Sequence, residues 1–131
     1  MDTTSLTDTV EAHVRRARAA AHGRSAHTVH GGHDRALRQT VVALRAGTTL
    51  NEHDSTREAT LQVLAGRVRL TIGTQAAEAV AGDLLTVPTK AHTLDAVEDS
   101  ALLLTVALGV LDTVAVASSA GPSYSWQEDW V

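Results

Sequence analysis

Histidine is the residue on which chemistry in this chain would turn: there are seven histidines and no cysteine among 131 residues. An imidazole can ligate a transition metal, carry a proton near neutral pH, or orient a ligand through hydrogen bonds. The stretch "NEHDSTREATLQVLAG" (51–66) sets His53 among carboxylates, ahead of a strand-like run closed by glycine. In "HTLDA", His92 alternates with Leu94 and Ala96, so it is expected to share their inward face. His30 and His33, in "HTVHGGHD", read as part of a polar, glycine-containing turn. His13 and His22 fall on a helical segment and are expected at the surface. Other chemistries find no motif: there is no phosphate-cradling glycine loop, no dinucleotide loop and no nucleophile elbow. Ser55 lies too close in sequence to His53 and Asp54 for the three to converge as a triad.

The elements that would carry these residues are mostly strands. One helix is expected first, over "TDTVEAHVRRARAAAHG", with Thr7 or Asp8 as cap, apolar residues at helical spacing and Gly23 at its end. Its arginines read as a solvated face. From Asp34 onward the pattern changes to short strands and turns. In "EATLQVLAG" the alternation places Ala59, Leu61 and Val63 on one face and Glu58, Thr60 and Gln62 on the other. "RVRLTIG" repeats it with Val68, Leu70 and Ile72 inward. Further strands follow in "AEAVAGD", "LLTVP", "HTLDAV", "ALLLTVALG" and "TVAVAS". Many short strands at close spacing predict an all-β antiparallel sandwich or barrel.

Composition bounds the rest. The chain has the length of one domain, and 44% apolar residues make it globular. Its core must be aliphatic, because phenylalanine is absent and Tyr124, Trp126 and Trp130 all fall in the last eight residues. A net charge of -4 argues against nucleic acid as a partner. The longest apolar run, "ALLLTVALGVL" (101–111), is well short of the roughly 20 residues a membrane span needs. No signal-peptide layout opens the chain, and no cysteine is present for disulfides. The expectation is a cytoplasmic protein with no nucleic-acid or membrane partner.

Two spacings then resemble the motifs of the cupin family of small jelly-roll barrels. The family's first motif runs Gly, five residues, His, one residue, His, three or four residues, Glu, six residues, Gly; Gly47, His53 and Gly66 match it here. The second runs Gly, five residues, Pro, one residue, Gly, two residues, His; Gly82, Pro88 and His92 match, the histidine one residue early. The resemblance implies an antiparallel jelly-roll barrel over residues 26–117, preceded by a helix and arm at 1–25 and followed by an aromatic tail at 118–131. It also implies where the family's four metal ligands would fall: His53, Ser55, Ala59 and His92. Only two of these are ligands of any strength. Glu58, next to the third position, is expected to face solvent by the alternation above.

Two imidazoles alone hold a divalent transition metal such as iron, zinc, nickel or manganese weakly, since catalytic sites normally supply three protein ligands. His33 (or His30) would complete such a set if the preceding arm crosses the barrel mouth, and Gln39 if its face, shared with Leu37, Val41 and Ala43, is the inner one. Three functional readings follow. The first is a barrel binding a small, mostly apolar molecule, with His53, His92 and Gln39 as polar contacts around a degenerate metal site. The second is a metal-dependent enzyme of the dioxygenase or isomerase type using His53 and His92 as ligands. The third is a dimeric regulatory or stress accessory protein without catalysis. A homodimer is expected, with the N-terminal helix and arm as natural exchange elements.

Overall fold

A computed structural model of the chain describes residues 1–108. The expected strand at 113–118 and the tail carrying Tyr124, Trp126 and Trp130 lie outside the described residues. The chain opens with helix α1 (Leu6–Ala19), followed by strands β1 (Arg24–His30), β2 (Leu37–Leu44), β3 (Thr49–Glu52), β4 (Ala59–Ala65), β5 (Arg67–Ile72), β6 (Gln75–Val80), β7 (Leu84–Thr86), β8 (His92–Ala96) and β9 (Ser100–Ala107). They form two sheets, β1-β2-β9-β4-β7 and β3-β8-β5-β6, with every pairing antiparallel. This is the jelly-roll arrangement, two sheets closing over one aliphatic core. No helix among the described residues is long and apolar enough to cross a membrane.

The core faces follow the alternation of apolar residues. Ala59, Leu61 and Val63 of β4 are buried, and Glu58 is exposed, as the pattern predicts. Val68 and Leu70 of β5 join them, while Ile72 at the strand's end is only half-buried. Leu50, Leu94 and Leu70 form one row across the smaller sheet, and Leu61 and Leu104 face them from the larger one. The chain crosses from the larger sheet to the smaller at Gly66, whose φ is +86°. A pairing shift between Val63 and Ala65 precedes this corner, the irregularity by which strands change sheets.

Three local expectations need correction. Ser5, rather than Thr7 or Asp8, caps α1: its hydroxyl oxygen accepts from the Asp8 N–H at 3.1 Å. Strands begin ahead of Asp34, where the pattern places their start: β1 lies before it, on the edge of the larger sheet. It is hard to see because an edge strand facing water needs few apolar residues, and only Ala26 and Val29 break its polar run. Finally, β2 is buried on both faces: Val41, Val42, Ala43 and Leu44 are all fully buried. Val42 and Leu44 belong to the barrel core, whereas Val41 and Ala43 lie on the outer face beneath α1, which packs against β1, β2 and β9.

The helix is lashed to the barrel by polar contacts as well. Arg45 donates to the carbonyls of Arg18 and Ala20 at the helix C-terminus, where partial negative charge accumulates. Asp99 accepts from the Arg18 guanidinium and the Ala46 N–H. On the buried side, His13 is only 7% exposed, in contrast to the surface position expected for it. Its Nδ1 lies 2.6 Å from the Ser25 hydroxyl, and its ring stacks on His27 with centroids 5.5 Å apart. Burial, then Arg16 and His27, hold the His13 pKa below its ordinary 6.5. Folding therefore favours the neutral ring. Stability from this site should be complete above about pH 6.5 and fall as pH drops through the lower folded value. Urea midpoints at about pH 7.5 and about pH 5.5 should show that loss, and His13→Asn should flatten it.

Candidate functional site

Inward-facing polar groups collect at one end of the barrel. From the larger sheet, the parity of Val42 and Leu44 also turns Thr40 and Arg38 inward. From the smaller sheet, the parity of Leu50 and Leu94 turns Glu52 and His92 inward, and the two are directly paired across β3 and β8. Each is only 4% exposed. Both pairs lie at the same end, because β3 runs away from the turn that joins it to the far end of β2. The loop 53–58 closes this end and carries Arg57, near enough to Arg38 for like-charge repulsion to lower the Arg38 pKa, second only to burial.

The loops here are tied down. The Asp54 carboxylate accepts from the Ala91 N–H at 2.7 Å, and the Ser55 N–H donates to the Thr89 carbonyl at 2.8 Å. Ser55 also accepts from the Arg57 N–H at 3.2 Å, so the residue at a family ligand position serves the loop's own backbone. His92 is held from the same loop system: its Nδ1 lies 2.8 Å from the Lys90 carbonyl and must be the donor. In the neutral ring the lone pair is then on Nε2.

The remaining sequence candidates are placed elsewhere. His53 is exposed, so the expectation that it and His92 enter one cavity is not met. The cause is pleat parity. Leu50 must face the core, which turns Glu52 inward and leaves the next residue outside. Gln39 lies on the outer face with Val41 and Ala43, where its amide donates to the Thr105 hydroxyl at 3.2 Å. His30 and His33 are exposed near the mouth. Glu52, Arg38, Thr40 and Arg57 were not singled out by sequence reasoning. The spacing Leu50-x-Glu52 held the signal for the first.

This donor set does not fit a metal. One imidazole and one carboxylate face inward, with two guanidinium groups nearby. No group of three histidines or carboxylates that could hold a metal ion occurs among the described residues. The motif glycines nonetheless occupy turns, where the Gly47 N–H donates to the Ala96 carbonyl and the Gly82 N–H to the Val63 carbonyl, both at 2.8 Å. The backbone spacing of the two motifs is therefore present without their ligand set.

No protein-family model matches the chain, and no curated protein does. Solved structures do. A conserved protein of unknown function from Streptococcus pyogenes is 26% identical, with a TM-score of 0.58, over 67% of this chain and 76% of that one. An RmlC-like cupin from Desulfovibrio desulfuricans is 25% identical, with a TM-score of 0.56, over 64% of this chain and 81% of that one. A salicylate 1,2-dioxygenase from Pseudaminobacter salicylatoxidans superposes on 82% of this chain with a TM-score of 0.68. At 17% identity, and with only 35% of the dioxygenase covered, that likeness is one of fold. Its two antiparallel sheets, its turn glycines at motif spacing and its likeness to these barrels give the chain the cupin fold.

Proposed function

We propose that this chain is a small-molecule-binding barrel whose polar contacts are Glu52 and His92. The observation that supports it is their placement: two ionisable side chains, each 4% exposed and directly paired, at the polar end of an interior whose core is aliphatic. Ligand sites are commonly built this way, from apolar walls with a few convergent polar groups. A largely apolar ligand body suits the core leucines and valines below. His92 would meet the ligand through Nε2, since Nδ1 is committed to Lys90.

The test pairs a thermal-shift screen of small organic molecules with metal analysis of protein purified without a His tag. Binders are expected to lose about tenfold or more in affinity in His92→Ala and in Glu52→Gln, the size of a lost buried hydrogen bond. His53→Ala should leave affinity and stability unchanged, the latter within ~0.5 kcal/mol, because an exposed side chain away from the site contributes little. Unchanged affinity in both inner variants would remove the site from the account. A full equivalent of iron, zinc, nickel or manganese, released by His92→Ala, would replace this reading with the metalloenzyme.

A further inference from the structure

Resting on that reading, we infer that the ligand is an organic anion, a carboxylate in the simplest case, and that Arg38 holds its charged group. Arg38 is the inward residue nearest the barrel mouth on β2, one pleat step beyond Thr40. Its Nη1 is buried and makes no hydrogen bond among the described residues. A buried guanidinium N–H without an acceptor is costly, and bidentate pairing with a carboxylate is the geometry that relieves it best. Arg67, by contrast, is a surface arginine that already meets the carboxylates of Glu78 and Glu98.

Three further observations point the same way. Gly31 continues the β1–β2 pairing one step past His30 and Gln39, which sets it beside Arg38. A Cβ there would stand 3.2 Å from the Arg38 Cγ, so a larger residue would push the arginine stem aside, and the φ of +149° favours glycine as well. Arg57 carries like charge within electrostatic reach of Arg38, second to burial in lowering its pKa, so an anion beside Arg38 would relieve the repulsion. The Thr40 hydroxyl, in a residue 9% exposed and one pleat step from Arg38, stands as a neighbouring donor.

The test uses matched probes that differ only in charge: hexanoate with hexanamide, and benzoate with benzamide, titrated calorimetrically into the full chain. The expected result is that the acid of a pair binds about tenfold or more tightly than its amide. Arg38→Met, which keeps the length of the stem and removes the charge, should abolish that preference. Arg38→Lys should retain part of it, because an ammonium keeps the charge but loses the planar fork. If Arg38→Met fails to fold, the acid-to-amide ratio in the unmodified chain and in Arg38→Lys still decides. Equal affinity for acid and amide would overturn the anion inference while leaving the binding barrel standing. A carboxylate preference that survives Arg38→Met would place the anion at another arginine and overturn the assignment. Binding of none of the four probes at millimolar concentration would count against both the inference and the reading beneath it.

Discussion

Gly66→Ala is expected to lower the thermal midpoint by about 10 °C or more, the scale of a loss of about 3 kcal/mol in a domain of this size. Two costs add at that position. The φ of +86° puts an alanine in the left-handed region, itself worth roughly 1–2 kcal/mol. The new methyl group would also run into the Asp99 carbonyl oxygen and into Ser100, and backbone cannot swing aside as a flexible side chain would. Ser100 is fully buried, its hydroxyl oxygen accepting from the Arg67 N–H at 3.1 Å and its proton directed to the Glu98 carbonyl at 2.8 Å. Moving it breaks the corner where one sheet becomes the other. Gly73→Ala is the matched control: φ there is +55°, but nothing lies within 4 Å of the added carbon. Its cost should be about 1 kcal/mol. Equal midpoints for the two variants would show that the Gly66 corner gives way freely.

The second large effect is expected in the core. Leu94 is fully buried between Leu50 and Leu70, one pleat step below His92. Leu94→Ala should cost about 2–5 kcal/mol, the transfer term plus the cavity left where rigid strands cannot collapse. A urea titration reads it directly, with a lower midpoint and an unchanged slope. Leu84→Ala, at a side chain 66% exposed, should stay within ~0.5 kcal/mol. A loss below about 1 kcal/mol at Leu94 would mean that the layer beneath the polar site is already loosely filled.

How far the site could be read ahead of the fold depended on how one-sided each strand is. Over residues 58–63, on β4 and its approach, and along β8, apolar and polar residues alternate, so Ala59, Leu61 and Val63, and likewise His92 and Leu94, are legible from alternation alone. β2 is not. With Val41, Val42, Ala43 and Leu44 all buried, no alternation distinguishes its faces, and the sequence leaves the face of Gln39 as eligible to be the inner one as that of Arg38. β3 has four residues and one leucine, too little pattern to outweigh a family spacing that pointed to His53. The fold survived that one-residue error because turn glycines and strand lengths set it. The chemistry did not, since a single step along a pleat exchanges an imidazole for a carboxylate. β1 went unseen because its partners supply the burial that its own sequence lacks.

The double burial of β2 also says what the helix is for. Val41, Ala43 and Ala101 form a nonpolar strip on the barrel's outside, sealed by Ala17 and its neighbours on α1. A chain trimmed of its first 25 residues would present that strip, with the end of the β2 edge at Ala43 and Leu44, to other molecules. Such a fragment would report on stickiness rather than on whether the intact protein pairs, so subunit stoichiometry is better read from the whole chain.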